Sequence, residues 1–109
     1  MNKIESFKDL IVYQKAYMLA MEIFEVSKSF PKEEKYSMTD QIRRSSRSFA
    51  TNIAEAWSKK KYIKSFINKL TDSLGEEYET EVWLDFARDS DYLSEIDYYD
   101  FVTRILLTQ

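Results

Sequence analysis

Two groups of basic side chains give this sequence its clearest chemical signal. The first lies in the stretch DQIRRSSRSFATNIAEAW, residues 40–57, and the second follows directly after it. The two groups together contain Arg43, Arg44, Arg47, Lys59, Lys60, Lys61 and Lys64. Such cations bind nucleic-acid phosphates without reading the base sequence. At a rise of about 1.5 Å per residue the groups lie about 20 Å apart along a helix, so they predict a basic stripe rather than one compact patch.

A structural interpretation of the same cations stays open. Residues 37–71 carry eight Lys or Arg against two carboxylates, whereas residues 72–109 carry two Arg against eleven. This segregation predicts pairing between helices, or complementary faces on neighbouring subunits. For residues 59–64 a solvated connection between helices is a further alternative, with Trp57 and Tyr62 available for packing or for stacking on bases. The sequence pI of about 5.0 argues against a dedicated nucleic-acid binder, because such domains are usually basic.

Acidic residues between positions 72 and 85 raise the question of a metal site. They are Asp72, Glu76, Glu77, Glu79, Glu81 and Asp85. Di-iron sites in helical bundles combine glutamates with Glu-x-x-His motifs, and this chain contains no histidine. The Ser58-Lys-Lys-Lys61 tetrapeptide matches the Ser-x-x-Lys nucleophile motif, but its companions Ser-Asp-Asn and Lys-Thr-Gly are missing. We therefore expect no catalytic residue, no metal and no cofactor.

Three further residues are predicted to act in helix packing. A partly buried Asn52 beside an apolar stripe would fix helix register through hydrogen bonds. Glu55 can accept a hydrogen bond from an arginine of its own helix or from a neighbouring helix. Gly75 lies inside a predicted helix, where it costs about 1 kcal/mol relative to alanine. This cost predicts a close helix contact near Ser73 and the small side chains of residues 45–54.

Composition narrows the class of protein further. At 109 residues the chain is expected to form one domain, and one glycine and one proline predict long helices. Apolar residues make up 44% and charged residues 32%, a globular balance. The absence of cysteine excludes disulfides, a thiolate nucleophile and a Cys-type zinc site. The N-terminal stretch has no apolar run typical of a signal peptide or a membrane span, so we expect a cytoplasmic protein.

Apolar periodicity predicts four helices, at roughly residues 9–29, 38–57, 60–90 and 94–108. The expected core positions are Val12, Ala16, Leu19, Ile23, Val26 and Phe30 in the first helix, and Ile42, Ser46, Phe49, Ile53 and either Ala56 or Trp57 in the second. In the third they are Ile63, Phe66, Ile67, Leu70, Leu74, Tyr78, Val82, Trp83, Phe86 and Ala87, and in the fourth Ile96, Tyr99, Val102, Ile105 and Leu106. Ser37 and Ser94 are the expected N-caps of the second and fourth helices. The prediction is a single all-α domain, residues 1–109, folded as an up-down-up-down antiparallel four-helix bundle.

Four stretches carry a family resemblance that covers nearly the whole chain. They are FKDLIVYQKAY, FPKEEKYSMTDQIRRSSRSFATNIAEAW, KKKYIKSFINKLTDSLGEEYETEVWLDFA and DYLSE. In this order they resemble the four-helix-bundle proteins encoded in 23S rRNA intervening sequences. The chain has Ala56 where that family usually has glycine after Asn-Ile-Ala-Glu, and its fourth helix is shorter than is typical.

The resemblance implies an all-α bundle that forms a homopentamer with a central opening. It also implies distant kinship with the accessory protein of diversity-generating retroelements, a basic pentamer that works with a reverse transcriptase and nucleic acid. No catalytic activity is established for the family. We therefore expect a non-catalytic, self-assembling bundle that acts as an interaction or scaffold protein. The alternative is an accessory protein that binds RNA or DNA without sequence preference, beside an rRNA- or reverse-transcriptase-related partner.

Overall fold

The computed structural model describes residues 3–108, which form four α-helices and two short 3₁₀ turns. The helices are α1 (Ile11–Ser27), α2 (Met38–Ser58), α3 (Ile63–Asp89) and α4 (Glu95–Leu106), and the turns are Phe7–Asp9 and Lys32–Glu34. No strand occurs in the described part of the chain, so the predicted all-α class is confirmed. Residues 1, 2 and 109 of the predicted domain lie outside the described residues.

Capping explains where the helices begin. At α4 the Ser94 hydroxyl accepts a hydrogen bond from the Asp97 amide at 3.1 Å, as the sequence predicts. At α2 Ser37 occupies the predicted N-cap position, but its hydroxyl donates to the Glu34 carboxylate at 2.6 Å and makes no capping hydrogen bond to the helix. The first helix begins two residues later than predicted. The residues just before it form a separate 3₁₀ turn, which a capping box at Ser6 stabilises.

Hydrogen bonds between consecutive helices show that they run antiparallel. Arg43, near the start of α2, donates from Nε to the hydroxyl of Ser27, the last residue of α1, at 2.7 Å. Tyr98, near the start of α4, donates from its hydroxyl to Asp85, near the end of α3. The end of each of these helices therefore lies beside the start of the next.

The contact between α2 and α3 is the most extensive in the bundle and is lined by small hydroxyl residues. The Ser73 hydroxyl donates to the Phe49 carbonyl at 2.9 Å, and the Thr80 hydroxyl donates to the Ser45 hydroxyl at 2.9 Å. All four residues are buried. Small side chains let two helices approach closely, and these hydrogen bonds satisfy the polar groups that the approach buries.

The core contains every predicted position of α2 but few of those predicted for α3. Ile42, Phe49 and Ile53 of α2 are buried, and so are Ser46 and Ala56, so α2 continues through Ala56 without a break. The core is completed by Ala16, Leu19 and Ile23 of α1, Leu84 and Ala87 of α3, and Phe101 and Ile105 of α4, among others. The predicted core position Val12 is exposed instead.

The predicted apolar seam of α3 is wrong. The buried face of α3 consists of Ser73, Glu77, Thr80, Leu84 and Ala87. The residues expected in the core that are exposed instead are Ile63, Ile67, Leu70, Leu74, Tyr78, Val82 and Phe86. The same error recurs in α4, where Ile96, Tyr99 and Leu106 are exposed. In α3 the physical reason is the close contact with α2, which only small side chains can fit. The face of α3 that carries the small polar residues therefore packs inward, and the longer apolar side chains point outward.

Candidate functional site

The arginines of α2 are held partly by packing against α1. The Arg43 and Arg47 guanidinium carbons lie 4.7 Å and 5.2 Å from the centre of the Phe24 ring. Cation–π contacts of this kind stabilise the α1–α2 pair, and Arg43 also bonds Ser27. Arg43 is therefore committed to the fold, while Arg47 extends along the exposed side of α2.

Arg44 lies on the other side of α2, facing α3. Its guanidinium is 3.7 Å from the Asp40 carboxylate, a loose and exposed pair. Arg44 and Arg47 line an opening of 480 Å³ between α2 and α3, together with Glu76 and Glu79. Within residues 3–108 no salt bridge joins these two glutamates to an arginine. Burial, together with the charges of Glu79 and a neighbouring aspartate, raises the pKa of Glu76 above its usual range.

The lysines between α2 and α3 form the more accessible basic group. The Lys60 ammonium lies 4.2 Å from the centre of the Trp57 ring. Lys59, Lys61 and Lys64 are exposed, and the described residues offer none of them a carboxylate partner within salt-bridge distance. Tyr62 is 70% exposed in their midst. The structure therefore places Lys59, Lys60 and Lys61 after the end of α2, and Lys64 in the first turn of α3.

The three predicted packing residues have different environments. Glu55 accepts from a neighbouring helix, since its carboxylate lies 2.6 Å from the Lys69 ammonium of α3, and this hydrogen bond raises the pKa of Lys69. The half-buried Asn52 side chain has no hydrogen-bond partner among the residues described. The expectation for Gly75 is wrong, because an added Cβ would have no atom within 4 Å. The close contact predicted near Ser73 is present, because the buried Ser73 hydroxyl donates to the Phe49 carbonyl of α2.

Sequence reasoning missed an exposed apolar surface of α3, which we call the α3 ridge. It consists of Leu70, Leu74, Tyr78, Val82 and Phe86, which are between 39% and 54% exposed. Residues four apart lie in one row along a helix surface, so these side chains form a continuous apolar strip on α3. Ile63 and Ile67 add exposed apolar area at the start of the helix. One sequence signal could have indicated the correct buried face of α3. It is the pair of hydroxyl residues at positions 73 and 80, which are seven residues, or about two helical turns, apart and both lie on that face.

A second exposed apolar surface, the α1–α2 groove, lies between the first two helices. It encloses 430 Å³ and is lined by Phe7, Tyr13, Tyr17, Ala20, Met21, Arg47, Ala50, Thr51 and Ala54. Its α2 side consists mainly of small residues, and Tyr17 and Met21 stand exposed on its α1 side. The groove therefore offers a shallow apolar floor with a guanidinium beside it.

The folded chain exposes more surface than a compact monomer of its size. Its accessible area is 7350 Å² for 13.1 kDa, whereas a folded monomer of that mass exposes about 6,400 Å². The radius of gyration is 14.7 Å, against about 13 Å expected for a compact domain of this length. The excess of about 1,000 Å² is comparable to the roughly 800 Å² that each partner buries in a stable protein interface.

The described part of the chain contains neither a metal-binding cluster nor a membrane-spanning helix. No group of three or more Asp, Glu, His or Cys side chains within residues 3–108 is arranged to hold a metal ion. Among the helices described, none is both long enough and apolar enough to span a membrane.

Comparison with known proteins identifies the family. The model of the 23S rRNA-intervening sequence protein family matches residues 8–106. The fold is also similar to the crystal structure of a protein of unknown function from the S23 ribosomal protein family of Bacteroides thetaiotaomicron VPI-5482. The TM-score is 0.80 and the sequence identity 31%, over 90% of this chain and 88% of that chain. No curated protein matches the sequence. The chain belongs to the 23S rRNA-intervening sequence protein family, which confirms the resemblance.

Proposed function

We propose that this member of the 23S rRNA-intervening sequence protein family is a non-catalytic helical bundle that assembles with copies of itself and serves as an interaction scaffold in the cytoplasm. The α3 ridge is the observation that carries the proposal. A soluble monomer rarely exposes a contiguous apolar patch of several hundred Å², and such patches usually mark an interaction surface. The ridge extends over 17 residues of one helix, Leu70 to Phe86.

The energy available from this surface is sufficient for assembly. Fully burying a large apolar side chain contributes about 1.5–3 kcal/mol, so one that is half exposed has about 1 kcal/mol left to gain. Five such side chains in the ridge offer about 5 kcal/mol per contact before the partner surface is counted. This exceeds the lower range of the entropic cost of association.

We further propose that the assembly is a closed ring of five subunits, the number implied by the family resemblance. Light scattering on the purified chain at micromolar concentration tests both statements. The expected mass is five times the 13.1 kDa of one subunit. A mass of one subunit would overturn self-assembly, and a stable dimer would overturn the ring of five.

The lysines before α3 support a second candidate function, sequence-nonspecific binding of single-stranded nucleic acid. Lys59, Lys61 and Lys64 have no acidic neighbour within salt-bridge distance among the residues described, so their charge is available to phosphates. The exposed Tyr62 ring beside them is suited to stack on a base. In an oligomer the same weak site recurs on every subunit, so contacts too weak to bind alone act together.

Fluorescence anisotropy with a labelled single-stranded RNA tests this candidate. Binding should weaken between about 50 mM and about 150 mM salt, with a log–log slope of about −0.7 for each phosphate neutralised. The double variant Lys59→Glu, Lys61→Glu should abolish binding without changing the oligomer mass. The control Lys32→Glu, Lys35→Glu makes the same charge change at two exposed positions elsewhere and should bind normally. No binding by the native chain at about 50 mM salt would refute this function.

A further inference from the structure

We infer that the α3 ridge of one subunit docks into the α1–α2 groove of a second copy of the chain, in a head-to-tail contact. This inference rests on the proposed self-assembly and adds which two surfaces meet. It is carried by the matching shape, charge and position of the two surfaces.

The shapes of the two surfaces are complementary. The α3 ridge is a row of large side chains at every fourth residue, and such rows pack into the grooves between rows on another helix. Gly75 leaves open space on α3 between Leu74 and Tyr78, so a partner helix can approach the backbone there. The groove provides small residues, Ala50 and Ala54, on its α2 side. Large side chains on one surface thus meet small ones on the other.

The charges beside the two surfaces are opposite. Glu79 is exposed on α3 beside Tyr78 of the ridge, and within the described residues its carboxylate forms no salt bridge. Arg47 lines the groove, and Arg43 lies one turn away on the same helix. Complementary potentials steer association and exclude wrong partners. Because both surfaces belong to this chain, their complementarity identifies a second copy as the occupant.

Position makes the contact head-to-tail. The groove is lined by residues of α1, α2 and the turn before α1, and no residue of the ridge lines it. One subunit therefore cannot fill its own groove with its own ridge. When a single ridge–groove contact joins two copies, one ridge and one groove stay unfilled, so further copies add until the subunits close as a ring. The excess accessible surface is comparable to what one partner buries in such a contact.

Mixing two complementary variants tests the inference directly. The ridge variant Leu74→Ser, Tyr78→Ser keeps an intact groove, and the groove variant Thr51→Glu, Ala54→Glu keeps an intact ridge. Each alone should lose its assembly, with subunit affinity reduced about 100-fold or more. Their equimolar mixture should form a dimer of one subunit of each kind, because it contains a single intact ridge–groove pair.

The outcomes separate the inference from the proposed self-assembly. Circular dichroism first checks that each variant retains its helices, and the control Ser29→Glu, Thr103→Glu places the same charges outside both surfaces and should assemble normally. If the native chain assembles but the mixture stays monomeric, or if one variant still assembles alone, the ridge–groove contact is wrong and self-assembly stands. If the native chain is monomeric, both are wrong.

Discussion

Replacing Gly75 with alanine tests most directly whether α3 is open on its outer side. The glycine lies in the middle of a helix of 27 residues, Ile63–Asp89. Its backbone does not adopt a positive φ, and an added Cβ would have no neighbour within 4 Å. Gly75 therefore lowers the free energy of unfolding of the native chain through its backbone entropy, and no close packing contact at this position offsets that loss.

The expected gain follows from helix propensity alone. Alanine is favoured over glycine in a helix interior by about 0.8–1.0 kcal/mol. With no steric loss to subtract, the free energy of unfolding should rise by about 1 kcal/mol. For a domain of about 100 residues this corresponds to an increase of about 4–6 °C in the unfolding midpoint.

Urea unfolding followed by circular dichroism measures the change. Assembly makes apparent stability depend on subunit concentration, so the substitution is compared in the groove variant, which we expect to be monomeric. Asn68→Ala, at another exposed position of α3, calibrates the assay and should give a smaller gain of about 0.5 kcal/mol. An unchanged or reduced stability of Gly75→Ala beside a normal gain for Asn68→Ala would refute the open outer side of α3.

Two further predictions concern the α2–α3 contact. Because the pKa of Glu76 is raised in the folded chain, its charged form lowers the free energy of unfolding. This loss of stability is complete above the pKa of Glu76 in the folded chain, and it disappears below the pKa in the unfolded chain. Glu76→Gln should therefore raise the midpoint of thermal unfolding near pH 7 but not near about pH 3.5, and an equal gain at both would contradict it. Ser73→Ala should lower the free energy of unfolding by about 1 kcal/mol, because the hydrogen bond to the Phe49 carbonyl is lost. The same change at the exposed Ser65 should have little effect, and equal losses at the two sites would refute a special role for the buried bond.

Sequence periodicity predicted the helices and the core of α2 because α2 obeys one rule throughout. Its large apolar residues all face the other helices, so spacing alone identifies Ile42, Phe49 and Ile53 as core. The Glu55 contact with a neighbouring helix was also predictable, since a carboxylate on the flank of a helix usually finds a cation on the next one. The choice of Lys69 as partner depends on the rotation of α3, which the sequence did not reveal.

Periodicity failed in α3 because that helix has two competing faces. One face is apolar and continuous, from Leu70 to Phe86. The other face combines small hydroxyl residues with Leu84 and Ala87. A rule that assigns the more apolar face to the core selects the wrong one here. The packing geometry decides otherwise, because small residues on both helices allow the α2 and α3 backbones to come close.

Under the proposed self-assembly, this arrangement couples the stability of the chain to its assembly. Burying Ser73 and Thr80 removes little apolar area from water, and their hydrogen bonds mainly offset the cost of desolvating them. Even Glu77, only 1% exposed, accepts a hydrogen bond from Thr108 at the end of α4 in place of the water it has lost. Most of the apolar area that α3 has to contribute thus remains outside, on the ridge. In the proposed assembly a second copy covers the ridge, and that contact supplies hydrophobic stabilisation that the isolated bundle lacks.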